Sequence, residues 1–457
     1  MHRSSGGHVV IALAALASCL LPCAAREARA SEDGTLVIRG ATVLTVTKGT
    51  IEAGTVLLRG GKIEAVGKDL AVPEGAKVIE ARGKFLIPGI VDMHSHLGVY
   101  PWPGTDANSD GNEATDPNTA MVRAADSIWF EDPGMLRAVA GGVTTIQVLP
   151  GSANVIGGET AILKLKVGGG PAGMVVKDAP RGLKMAMGEN PKGVYGARNV
   201  LPSTRMGNAF VMRDAYMKAA EYARKQSDYE QRAGKGDKDA RPPDRDLRLE
   251  TLADVLRGKV RVNVHCYRAD EILQILDIAD QCGFKVASLH HALEAYKVAD
   301  AIKAHGAGVA TFADWWGYKF EAFDAIPQNA GLCLRKGIVT ALKSDSADIV
   351  QRLNQEAAKT IKYSDLTRDQ ALALVTINPA KLIGMDARIG SIEPGKDADL
   401  VLYDRDPMSI YARVDMTLID GGVVFDRARN YASFVGGSVP FGSFPGAIGA
   451  APAGGGR

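Results

Sequence analysis

Two histidines, His94 and His96, stand one residue apart at the end of the apolar run "FLIPGIVDMHSHLG" (85–98). Side chains two apart on a strand share a face, so both imidazoles would project together. Three further histidines close comparable runs: His265 in "VRVNVHC", and His290 and His291 in "KVASLHH". The run "GIVTALKSD" ends in an acid, Asp345. Neutral imidazole and carboxylate are the ligands that suit a divalent transition metal. Strand ends that converge would gather these residues into a metal centre, a better account than a set of unrelated core histidines. Adjacent strand residues face opposite ways, so only one of His290 and His291 is expected to reach such a centre. His305, in "KAHGAG", reads instead as the last residue of a helix before a glycine stop.

Positioning these residues takes a repeated strand–helix unit. From 88 to 385 short apolar strands alternate with stretches such as "ADEILQILDIADQCG", apolar at helical spacing and closed by glycine. The strands would be "GIVDMHSH", "GVTTIQVLPG", "AILKLKVG", "GLKMAMG", "VRVNVHC", "KVASLHH", "GVATFAD" and "GIVTALKSD". That alternation predicts an α/β barrel, whose site lies at the C-terminal strand ends. A doubly wound open sheet is less consistent, because no glycine-rich phosphate loop follows the first strand. Residues 31–87 and 386–430 have a different texture, hairpin-like runs such as "TVLLRGGKIEAVG" and "GSIEPGKDADLVLYD". One small β domain built from both ends of the chain is expected. The segment 223–250, dense in both charges and holding a Pro-Pro pair, reads as a solvated insertion with a mobile tip. The Gly/Ala/Pro-rich 431–457 reads as a tail.

Composition narrows the partners. Residues 1–30 have the pattern of a signal peptide: Arg3, an apolar core from Val9 to about Leu21, and small residues at Ala28–Ala30. The apolar run is shorter than the ~20 residues a membrane span needs. An exported protein, periplasmic or secreted, is expected, and "LASC" would allow a lipid anchor on Cys19. Without 1–30, Lys+Arg falls from 54 to 51 and Asp+Glu from 52 to 51, for a net charge of 0. Nothing in that balance favours nucleic acid, and a homo-oligomer is compatible with it. Cys266, Cys282 and Cys333 are too few and too scattered for a disulfide framework, and Cys266, next to His265, should face away into packing.

"PGIVDMHSH", "NVHCYRADE", "LHHALEAYK", "SDSAD" and "TINPAKLIGMDARIGSIEPGKDADLVLYD" together resemble the amidohydrolase superfamily, in particular its exported imidazolonepropionase-like and Xaa-Pro dipeptidase-like members. The resemblance runs from residue 35 to about 426. It implies a TIM-like (β/α)8 barrel with a small β-sandwich from both chain ends. It further implies that His94 and His96 bind a more buried metal, that His265 and His291 bind a more exposed one, and that Asp345 contacts metal and serves as general base. His290 would then pack behind the site. Binuclear members bridge their metals with a carboxylated lysine or a glutamate. Lys184, inside the apolar strand "GLKMAMG", is the first candidate, with Glu189 and Glu159 as alternatives. Zinc, two per chain, is the expected metal.

The chemistry implied is hydrolysis of an amide, peptide or cyclic amide C–N bond. A metal-activated hydroxide would attack the carbonyl while Asp345 moves the proton to the leaving nitrogen. The alternative is a one-metal enzyme of the imidazolonepropionase or deaminase kind, acting on a cyclic amidine or imidazolone. A barrel that has lost catalysis and only binds ranks last, because no strand-end ligand is missing. Substrate would meet the loop 98–117, a candidate lid, and the residues Tyr267, Arg268, Trp316 and Lys319, whose aromatics beside cations suit a small dipeptide-like amide.

Overall fold

The computed structural model describes residues 34–429. The signal-peptide, lipid-anchor and tail readings fall outside them. No described helix is long and apolar enough to cross a membrane.

Seventeen strands are present among the described residues. The end domain contains β1 (Leu36–Leu44), β2 (Thr50–Arg59), β3 (Lys62–Gly67), β4 (Lys77–Glu80) and β5 (Phe85–Pro88) from the front of the chain. The back of the chain adds β15 (Leu400–Tyr403), β16 (Val414–Ile419) and β17 (Gly422–Asp426). Hydrogen bonds join all eight into one sheet, β17-β16-β15-β5-β1-β2-β3, with β4 beside β1. Front and back meet where β15 pairs antiparallel with β5, Leu400 opposite Pro88 and Tyr403 opposite Phe85. The period-two alternation of these strands gives the sheet two apolar faces. Leu86, Leu400, Leu402 and Leu418 build the domain's own core. Ile87, Val401 and Tyr403 face the barrel, in one cluster with Met135, Ala138 and Val139 of the helix Pro133–Ala140.

The barrel follows directly, with β6 (Ile90–Ser95), β7 (Val143–Val148), β8 (Ile156–Glu159), β9 (Ala161–Lys164) and β10 (Arg181–Ala186). It continues with β11 (Val260–Cys266), β12 (Val286–His291), β13 (Gly308–Thr311) and β14 (Thr340–Leu342). β8 and β9 are two halves of one strand position: β9 pairs with β7 and β8 with β10. Both pairings are antiparallel, so the third of eight positions runs against the other seven, a departure from an all-parallel barrel. The circle closes between β14 and β6. There the Asp345 N–H donates to the His94 carbonyl (3.1 Å), and the turn at Leu374–Val375 bonds to Leu342 and Val91 lower down.

The charged segment 223–250 is only partly irregular. A 30-residue helix, Arg205–Gly234, runs through its first part, and the helix Leu247–Leu256 takes up its end. The ladder of opposite charges spaced three and four apart (Asp214–Lys218, Glu221–Arg224, Arg224–Asp228) supports the long helix, so only 235–246 lacks regular structure.

The two domains are pinned by charge. Lys164, buried at the end of β9, reaches Asp397 (2.7 Å), Asp399 (3.1 Å) and Asp420 of the end domain. These three acids have the spacing of a cation site, but the Lys164 ammonium already sits among them, and Lys62, Arg388 and Lys166 complete the balance.

Candidate metal centre

Period two decides what each barrel strand offers the interior. In β11, Val260, Val262, Val264 and Cys266 point outward into the core under the helices, leaving Asn263 and His265 for the inside. In β10, Leu183 and Met185 point outward and Lys184 inward. In β12, Leu289 packs outward while Ser288 and His290 turn in, the Ser288 hydroxyl donating to Asn263 Oδ1 (2.8 Å). By that alternation His291 should point away. It does not, because its backbone adopts φ +68°, a left-handed conformation that swings the ring back to the mouth. Both histidines of the pair therefore reach the centre: the His290 and His291 rings lie 4.8 and 4.9 Å from that of His94. Asp345 is held in the same way, at φ +55°.

Each histidine has a defined partner. His96 Nδ1 donates to the Leu149 carbonyl (2.8 Å), which leaves its Nε2 lone pair free toward Asp345 Oδ1 at 3.2 Å. His94 Nε2 lies 3.3 Å from the same oxygen. His94 Nδ1 meets His290 Nδ1 (2.7 Å), and His290 Nε2 is held by the Ser288 hydroxyl (2.8 Å). With both nitrogens engaged, His290 orients His94. His265 Nδ1 pairs with His291 Nε2 (2.8 Å). Asp92 fixes the frame from behind: its carboxylate accepts from the N–H groups of His94 (3.2 Å) and Ser344 (3.1 Å) and from the Ser344 hydroxyl.

Three buried atoms, His94 Nε2, His265 Nε2 and Lys184 Nζ, have no hydrogen-bond partner among the described residues. Buried polar atoms are seldom left unpaired. They come from three different strands, His94 Nε2 lies 3.3 Å from the Asp345 carboxylate, and His94, His291 and Asp345 bring one ligand atom each within 4.8 Å of one another, a spacing that fits a divalent metal. Burial holds all four of His94, His265, His290 and His291 well below their usual range, so they are neutral, as ligands must be. Burial also pulls Lys184 down to about 7. Asp345 is the opposite case: burial opposes its charge, but the Lys343 ammonium beside it keeps it ionised, well below the carboxylate range.

A crystal structure of an amidohydrolase from Thermotoga maritima is similar to this chain, with 37% identity and a TM-score of 0.80, over 86% of this chain and all of the other. This chain belongs to the amidohydrolase superfamily. A profile described as "Amidohydrolase family" matches residues 257–425. The amidohydrolase tasK of Hapsidospora irregularis is 39% identical over 393 residues, 82% of this chain but only 40% of that protein's length. An imidazolonepropionase of Thermoplasma volcanium is 23% identical over 401 residues, covering 83% and 93% of the two chains. The superfamily consists of metal-dependent hydrolases, acting here on C–N bonds, and the donor set above could hold such a metal, with His94, His291 and Asp345 at ligand spacing.

Of the three candidates for a bridging anion in this amidohydrolase, only Lys184 lies among the histidines. Glu159 is paired with Arg181 on the barrel wall, and Glu189 sits at the mouth with Lys319 (3.2 Å). Tyr267 stacks on His291 with rings 4.8 Å apart and nearly parallel, and Lys319 lies over its other side, 3.9 Å from the ring. Tyr318 donates to the Tyr267 hydroxyl (2.8 Å). Arg268 and Trp316 do not join them. Arg268 is turned to Asp270 (2.9 Å), where it opens the helix Ala269–Cys282, and Trp316 is half exposed while its neighbour Trp315 takes the packing place on Phe312.

Sequence reasoning passed over two groups. Lys343, fully buried, has its Nζ 2.7 Å from His291 Nδ1 and 3.2 Å from Asp345 Oδ2. Its signal was its place two residues before Asp345, just past the end of β14. The other is a cluster at the rim: Glu271 and Glu321, both buried, share Arg205, and Lys319 meets Glu321 at 3.2 Å. Burial, reinforced by Glu321, raises the Glu271 carboxyl to about 7. These residues lie far apart in the chain, and no local pattern joins them.

Proposed function

We propose that this amidohydrolase cleaves an amide, peptide or cyclic amide bond in a small molecule, using two divalent metals, zinc first among them, bridged by a carboxylated Lys184. The observation that carries the reading is the unpartnered Lys184 amine, buried beside His94, His265 and Asp345. An amine whose affinity for protons is lowered to about 7 is available as the neutral nucleophile that carbon dioxide requires. The resulting carbamate would turn a costly buried cation into a ligand. His94 and His96 would hold one metal, His265 and His291 the other, with Asp345 beside both. When bound, such metals supply Lewis acidity toward a carbonyl and make water a better acid.

The remaining work falls to the chain's own groups. Asp345, ionised and held by Lys343, accepts the proton of the attacking water and returns it to the leaving nitrogen. His290 and Asp92 keep the ligands in register. Lys319, set over the buried Tyr267 ring at the mouth, presents a cation to the substrate, which suits a carboxylate.

A second reading, a one-metal enzyme acting on an imidazolone or cyclic amidine, is favoured by one observation: the Lys343 ammonium already stands on the His291 side of Asp345. Metal content per chain, measured with and without bicarbonate for the parent and Lys184→Ala, tests both. Two metals in the parent and a loss of at least one in the variant are expected, with hydrolysis of dipeptides or cyclic amides. One metal in both would refute the bridging role, and no metal would refute the hydrolase reading.

A further inference from the structure

The two oxygens of Asp345 face different surroundings. Oδ1 lies 3.2–3.3 Å from the Nε2 atoms of His96 and His94. Oδ2 lies 3.5 Å from His291 Nδ1, and the Lys343 ammonium is bound to both, at 3.2 and 2.7 Å. Lys343 also rests 3.6 Å above the Phe312 ring, which is stacked on Trp315. Its side chain has no exposed surface, so it has no short way out to solvent. One side of the carboxylate is thus open to a dication, while the other already holds a fixed positive charge. Like charges a few ångströms apart in a buried, low-dielectric space repel strongly.

We propose that Lys343 is a built-in competitor for the second metal. Its ammonium occupies the cation position between His291 and Asp345, so the metals load in order, tightly at His94 and His96 and weakly at His265 and His291. This rests on the two-metal reading above and gives it an asymmetry that the histidines alone would not. Lys343 is a positioning residue in this account, because it acts through His291 and Asp345 and not on the substrate.

The test is calorimetric titration of the metal-stripped full chain with zinc in the presence of bicarbonate, for the parent, Lys343→Met, Lys343→Gln and Lys184→Ala. Circular dichroism checks folding, and the glutamine variant stands in should the methionine variant not fold. Two unequal steps are expected in the parent. Removing the ammonium should tighten the second step tenfold or more and leave the first within threefold. Two equally tight steps in the parent, or a second step unmoved by either Lys343 variant, would overturn the proposal while leaving two metals standing. A single step in the parent and both Lys343 variants, unaltered by Lys184→Ala, would overturn the two-metal reading and this proposal with it.

Discussion

Lys164→Met tests the account of how the barrel and the end domain are held together. Lys164 is buried and bonded to three carboxylates, and the partners left behind can be followed one by one. Asp397 keeps Lys62 and Arg388, and Asp420 keeps Lys166. Asp399, at the centre, keeps only the backbone N–H of Asp420 (2.9 Å). The variant therefore carries about one uncompensated buried carboxylate, which costs ~3–5 kcal/mol. With a urea slope of about 3 kcal/mol per M, the unfolding midpoint should fall by about 1 M at pH 8. The pH dependence has a definite sign. Burial already raises Asp399 to about 6, above its unfolded value of ~3.9, and loss of Lys164 raises it further. An acid with a raised folded value favours the protonated fold, so its contribution to stability is lost as pH rises through that value. The deficit of the variant should thus be largest at pH 8 and shrink by pH 5.5. Lys164→Met/Asp399→Asn should recover more than half of it at pH 8. Urea unfolding followed by circular dichroism at both pH values is the assay. A midpoint equal to the parent's, or a deficit that grows toward low pH, would refute the reasoning.

Other outcomes follow from the site. Stripping the protein with a strong chelator should abolish hydrolysis, and added zinc should restore it, as read by initial rates. Asp92→Asn removes the charge behind Ser344 and His94, and should lower metal affinity or kcat by ~10–100-fold with the fold intact by circular dichroism. Gly188→Ala places a Cβ 2.6 Å from Glu321 Oε1 at a backbone φ of +83°. The rim cluster must shift, so KM should rise several-fold while metal content per chain stays unchanged.

Much of the site was legible because strand parity is a local rule. His94, His96, Lys184 and His265 could be placed from the apolar residues alternating with them. The rule failed where the backbone left the strand. At His291 a left-handed residue reverses the direction that parity assigns, and no side-chain pattern announces that turn. Lys343 was missed for an energetic reason: a lysine near a strand end ordinarily extends to solvent, and only the assembled chamber shows it buried against His291 and Asp345. Arg268 was misplaced because an adjacent acid, Asp270, outcompetes the site for it. The barrel itself was readable from repeated alternation, but an apolar run carries no direction, so the reversal of "AILKLKVG" was not. The helix Arg205–Gly234 was hidden by a charged composition that serves a solvated helix as well as a loop.

That reversed strand makes the two sides of the mouth mechanically unequal. A chain that turns straight back at the top needs only the seven residues between Val148 and Ile156 to cross there, with no helix to return from. The loop 98–117 is stitched to this short crossing, Gly151 N–H to the Gly111 carbonyl (2.7 Å) and Ala153 N–H to Asn112 Oδ1 (3.1 Å). His96 is anchored to the same crossing through Leu149. One jaw of the chamber is therefore continuous with the strand end that carries His96 and cannot move without disturbing it. The opposite jaw, Trp316 to Phe323, shows its aromatic residues to solvent. Changes of substrate range would be accommodated on that side, by exchanging its most exposed aromatics, Phe320 and Phe323.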